Sequence, residues 1–127
     1  MRFELIDRIL AREPDRVVAV KNVTTAEEYL ADHFPGFPVL PGVMMLETMV
    51  QAGRLLTEPS DRAHWVLTDV RNVKYGNMVR PGQALVVEVT VRNRTAQRLD
   101  LTGVGRVDEQ IAVQGRFSLE PLRVDAA

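Results

Sequence analysis

Two residues, His33 and Glu47, carry side chains able to move protons, each in a setting that gives it a use. His33 opens the segment HFPGFPVLPG. Pro35, Pro38 and Pro41 there fix their own φ and push Phe34, Phe37 and Leu40 towards extended backbone. No helix can form between His33 and Leu40. Glu47 stands alone in the apolar run VMMLETMVQAGRLL. A carboxylate on a buried helix loses water and needs a partner or a task. An imidazole at the end of a stiff loop and such a carboxylate are the parts of general acid–base catalysis.

The run that carries Glu47 has the signals of a helix. Pro41 suits a first helical position, because its absent N–H would have been unpaired anyway. The amides of Gly42 and Val43 come next, as free donors at a helix N-terminus. From there to Leu56 only Gly53 interrupts, and Pro59 ends the helix, which is expected to reach about Thr57. Val43, Met44, Met45, Leu46, Met49, Val50, Ala52, Leu55 and Leu56 cover almost its whole circumference, so it is expected to be buried all round. On 3.6 spacing Glu47 shares a face with Val43, Gln51 and Arg54. Glu47 therefore has two readings, an ion pair with Arg54 or a catalytic acid. Gln51 suits a hydrogen-bond organiser of Glu47 or of a backbone group. Met44, Met45 and Met49 are core, or an adaptable wall for an acyl chain.

HFPG-x-P-V-x-PG followed by E-x-x-x-Q resembles the 3-hydroxyacyl-(acyl carrier protein) dehydratases of bacterial fatty-acid synthesis, of the FabZ type. LIDRILAREPDRVVAVKNVT and VRNVKYGNMVRPGQALVVEV extend the resemblance over nearly the whole chain. It implies an α+β hotdog fold, a long central helix wrapped by a curved antiparallel sheet of about five to six strands. It implies a homodimer, or a trimer of dimers, in which the His of one subunit faces the acid of the other. The implied catalytic residues are His33 and Glu47, with Gly42, Val43, Gln51 and Phe34 binding substrate. The implied partner is acyl carrier protein with a phosphopantetheine-linked acyl chain, and no cofactor is expected.

The chemistry fits those parts. Loss of the weakly acidic C2 proton calls for a base near neutrality, which His33 supplies. The C3 hydroxyl leaves only if protonated, which a carboxyl such as Glu47 can do. Charge then grows on the thioester oxygen, where the Gly42 amide and the helix dipole would stabilise it. Some positions depart from the family pattern. Asp32 precedes His33 where Gly is usual, and its charge would favour the protonated imidazole. Gly76, Met78 and Gln83 replace a basic residue, Pro and Asp. A specialised lipid or polyketide-like pathway, or a coenzyme A thioester, stays open. Two other classes use the same fold, a thioesterase and a non-catalytic domain that binds acyl thioesters.

Composition narrows the field. A chain of 127 residues with formal charge −1 suits one domain over 1–127 and argues against a nucleic-acid binder. With no Cys and two His, no thiol chemistry and no metal site are expected. Neither a membrane span nor a signal peptide is legible, so the expected location is cytoplasmic. His64 reads as structural or surface.

Residues 3–12 and 16–23 read as a hairpin about Glu13-Pro14-Asp15; Phe3, Ile6 and Leu10 would also suit a helix face, and the resemblance favours strand. Thr24 to Glu28 carries a capping box for a short helix. Strands are expected over 64–75, 84–94, 99–107 and 110–119, with turns at Pro81-Gly82 and Asp108-Glu109 and a loose tail from Pro121. Arg71, Lys74, Arg80, Arg92 and Arg94 form either a basic patch for an acidic carrier or an ordinary solvated strand surface.

Overall fold

The computed structural model describes residues 4–24, 39–58 and 65–122. Strands β1 (Arg8–Glu13) and β2 (Arg16–Asn22) form the hairpin, and helix α1 (Gly42–Arg54) follows. Then come β3 (Trp65–Tyr75), β4 (Ala84–Arg94), β5 (Leu99–Val107) and β6 (Gln110–Pro121). All six strands join one antiparallel sheet in the order β1-β2-β4-β5-β6-β3, with α1 against one face. This is the hotdog arrangement that the resemblance implies.

The alternation that marks these strands selects the helix-facing side. Leu85, Val87 and Val89 of β4, Leu99 and Leu101 of β5, and Phe117 and Leu119 of β6 are buried there with Met45, Met49 and Ala52 of α1. Glycines set how closely the helix lies. A Cβ on Gly103 would stand 2.6 Å from Met49 Sδ, and one on Gly53 would stand 2.8 Å from Leu101 Cδ1. The turns have the chemistry that their residues dictate. Pro81-Gly82 closes with Gln83 N–H donating to Arg80 C=O at 3.0 Å, and Gly82 takes φ +91°. Gly82→Ala is expected to cost about 1–2 kcal/mol, because an L-residue is strained at that φ. An unchanged denaturant midpoint would refute it.

Several expectations shift. Pro41 is not the first helical residue but the residue before it, with ψ 146°; its carbonyl accepts from Met44 and Met45 N–H at 3.0 and 3.1 Å. Its fixed φ serves the entry to the helix, while extended ψ keeps it outside. The helix ends at Arg54, not near Thr57. Leu55, Leu56 and Thr57 donate to carbonyls three residues back, which tightens the last turn after Gly53. The first strand begins at Arg8, and ahead of it Leu5 N–H donates to the Gln51 side chain at 2.8 Å. β6 runs to Pro121, paired with Trp65, so Pro121 belongs to the sheet and not to the expected tail, whose residues 123–127 lie outside the described residues.

Nor is the helix buried all round. Val43 is 65% exposed, and Met44, Leu46 and Glu47 are only partly covered. The sheet covers one side of α1, and the described chain supplies nothing to cover the other. The expected short helix over 24–28 lies outside the described residues apart from Thr24.

Candidate active site

The N-terminal end of α1 is held from two sides. Leu40 N–H donates to Val79 C=O at 2.7 Å, tying the residues before the helix to the segment before β4. Tyr75, the last residue of β3, lies over the first helical residue: a Cβ on Gly42 would stand 2.9 Å from Tyr75 Cε1. A side chain at Gly42 would have to displace that ring. The Gly42 and Val43 amides precede the first intrahelical hydrogen bond and form the positive end of the helix dipole. Val43, Tyr75 and Met78 are all more than half exposed about this end, so the amides sit beside an open apolar patch.

Glu47 lies one turn further along. Its carboxylate Oε1 accepts from Gln51 Nε2 at 3.3 Å and faces Arg54 Nη1 at 3.7 Å. Gln51 uses its other end, Oε1, for Leu5 N–H at 2.8 Å. Arg54 also donates through Nε to Trp65 C=O at 2.9 Å. The helical face read from the spacing is therefore a connected row, with both Gln51 and Arg54 serving Glu47. The Glu47 side chain is 40% exposed, not dehydrated as a helix buried all round would have made it. The reason is the uncovered side of α1. The carboxylate keeps access to whatever approaches that side.

Gln51→Leu should break this row. Leu5 N–H would lose its acceptor, at a cost of about 1–3 kcal/mol for a buried donor left unpaired. The measurement is the denaturant midpoint together with amide exchange at Leu5. Exchange no faster than in the wild type would contradict the assignment.

His33 and Phe34 lie outside the described residues, as do Asp32 and His64. Among the family departures, Gly76 has a steric cause: a Cβ there would meet Ile111 O at 2.5 Å. Gln83 accepts from Arg80 N–H at 2.8 Å and donates to Asp108 at 2.9 Å, joining two turns. Tyr75 was not singled out by spacing. It is brought to Gly42 only by the return of β3 along β6, and no local pattern marks it. Among the described residues, no three His, Asp or Glu side chains gather as metal ligands. No described helix is long and apolar enough to cross a membrane.

The five cations of the β half stand in different surroundings. Arg94 is spent on Leu56 C=O, Pro14 C=O and Asp15, fastening the β1–β2 turn to the end of α1. Arg71 and Arg92 line one cleft and Lys74 a neighbouring groove. Arg80 stands at the Pro81-Gly82 turn. Pairing order, not proximity in the chain, separates them.

Comparison with known proteins agrees with this architecture. Among solved structures, the dehydratase heterocomplex ApeI:P from Xenorhabdus doucetiae superposes with a TM-score of 0.72 at 19% identity, over 94% of this chain and 99% of that one. Zebra fish thioesterase superfamily member 2 superposes at 0.67 with 17% identity, over 91% and 80%. At those identities the likeness is one of fold. In sequence, the 3-hydroxyacyl-[acyl-carrier-protein] dehydratase FabZ of Solibacter usitatus is 39% identical over 88% of this chain and 72% of its own length. The FabZ of Polaromonas sp. is 38% identical over 89% and 83%. The model of the FabA-like domain matches residues 1–116. With that match spanning the helix, the proline-rich segment before it and all of the sheet but the end of β6, the chain belongs to the FabA-like family.

Proposed function

We propose that the protein catalyses the reversible dehydration of a 3-hydroxyacyl thioester, carried on acyl carrier protein, to the trans-2-enoyl thioester. The observation that carries this reading is the FabA-like match over 1–116, together with FabZ relatives at 39% and 38% identity. The pathway is fatty-acid synthesis or a related lipid or polyketide synthesis. His33 takes the C2 proton. Glu47, positioned by Gln51 and Arg54 on the open side of α1, gives the proton of its carboxylic acid form to the C3 hydroxyl, which departs as water. The Gly42 amide, with Val43 beside it, receives the thioester oxygen as negative charge grows there, and the helix dipole favours that charge. Phe34 and Gln51 complete the substrate-binding set. Microscopic reversibility assigns the same groups to hydration of the enoyl thioester.

The working form is a homodimer, alone or as a trimer of dimers, in the cytoplasm. Two features support the pairing. Among the described residues β3 is an edge of the sheet, hydrogen-bonded to β6 on one side only, and an open edge of that length invites a partner strand. The exposed apolar face at Val43 would be covered in the same step.

The test is direct. The protein is incubated with a carrier-bound 3-hydroxyacyl thioester and, separately, with the enoyl thioester. Interconversion without release of free thiol is expected. Release of thiol without interconversion would replace the reading with a thioesterase, and inertness towards both would leave a binding domain.

A further inference from the structure

The sheet face turned away from α1 holds a cleft of about 360 Å³ that the dehydration chemistry does not use. Its walls carry four guanidinium groups, Arg71, Arg92, Arg98 and Arg116, against two carboxylates, Asp69 and Asp100. The carboxylates are already committed. Asp100 accepts from Arg98 Nε at 2.8 Å and from Ser118 Oγ at 2.6 Å. The Ser118 hydroxyl first, and Arg98 second, hold the Asp100 carboxyl below the usual carboxylate range, so it stays ionised. Arg98 also donates to Ser118 Oγ at 3.0 Å and to Glu120 at 3.3 Å. Asp69 accepts from Arg71 Nε at 2.7 Å.

Arg92 and Arg116 remain, with no carboxylate within ion-pair distance among the described residues. The sheet does not spread them apart. Arg71 on β3 stands directly opposite Arg116 on β6, and like charges so placed repel. Arg92 is the extra residue of a bulge in β4, between the pairs Val91–Leu101 and Asn93–Asp100. Bulges re-aim a side chain, and this one brings a third cation to the same cleft. β3 is bulged on both sides of Asp69–Arg71, after Leu67 and after Arg71. Three irregularities of the sheet thus border one concentration of positive charge.

We propose that this cleft is a binding site for a phosphate monoester dianion, held between Arg92 and Arg116 with Arg71 at its edge. Arg92 and Arg116, the two guanidiniums of the cleft without an ion-pair partner among the described residues, match two negative charges, and planar guanidinium groups match phosphate oxygens in pairs. A bound dianion would also relieve the Arg71–Arg116 repulsion. A concave site of this volume suits a small molecule.

The test uses the full chain, titrated at constant ionic strength and pH 8 with inorganic phosphate, dimethyl phosphate and chloride. Binding is followed by calorimetry and by the arginine Nε–H resonances. Saturable binding of inorganic phosphate, one per chain, is expected, with little response to dimethyl phosphate or chloride. The Arg92→Gln, Arg116→Gln double variant should bind at least tenfold more weakly, and Arg80→Gln should bind as the wild type does. Phosphate should raise the melting temperature of the wild type and leave that of Arg116→Gln alone unmoved, which keeps the test valid if the double variant folds poorly. Tighter binding of dimethyl phosphate would overturn the proposal in favour of a diester, such as a carrier linkage. Equal, non-saturating response to all three anions would overturn it altogether. None of these outcomes depends on the assignment of His33 and Glu47.

Discussion

Replacing His33 with Ala or Glu47 with Gln is expected to lower turnover of a 3-hydroxyacyl thioester by about 100- to 10,000-fold, the range of one general acid or base. Glu47→Gln is the more informative change. It keeps size and hydrogen bonding towards Gln51, which lies 3.3 Å away, but it has no acidic proton to give. The stability of the variant should therefore stay near that of the wild type while turnover falls. Mixing the two inactive variants extends the test. If the site joins His33 of one chain to Glu47 of its partner, a heterodimer has one site with both residues changed and one with both intact. Statistical exchange then restores roughly a quarter of wild-type activity per chain, since about half of the dimers carry one good site out of two. No recovery, with exchange shown separately by mass spectrometry, would place the pair within one chain or remove one residue from the chemistry.

Leu101→Ala is expected to destabilise the protein by about 2–5 kcal/mol. Leu101 is 1% exposed on the central strand β5, and its Cδ1 lies 2.8 Å from where a Cβ on Gly53 would stand. The Phe117 ring lies 3.3 Å from the same position. The absent side chain of Gly53 has already let α1 approach as closely as the leucine permits. The cavity left by truncation has no loose neighbour to collapse into it, since β4 and β6 pair with β5 on both sides. The loss should appear as a lower urea midpoint with an unchanged slope, compared at one fixed chain concentration because assembly also contributes. A loss under about 1 kcal/mol would mean that the helix settles onto the sheet after truncation.

Much of this molecule is written locally. Leu85, Val87 and Val89 alternate with more exposed neighbours, and that period alone places β4 and its buried face. Asp108-Glu109 ends β5 and begins β6, with both residues at positive φ, because a two-residue hairpin needs such a turn. Glu47, Gln51 and Arg54 fall on one helical face by spacing, and they meet there. Each of these depends on residues a few positions apart, where φ preferences and side-chain period act directly.

What the tertiary structure decided lies between distant parts of the chain. Nothing near Val43 distinguishes it from Met49; one is 65% exposed and the other wholly buried because the sheet lies on one side of α1 only. Leu5 crosses to Gln51, Tyr75 covers Gly42, and Arg71 faces Arg116 through pairings that no local pattern encodes. The order β1-β2-β4-β5-β6-β3 puts β3 beside the last strand and leaves its other edge open. Turn and period preferences fix which residues enter an element. Which elements become neighbours is set by the burial and pairing of the whole chain at once, and the site and the cationic cleft are both built from such neighbours.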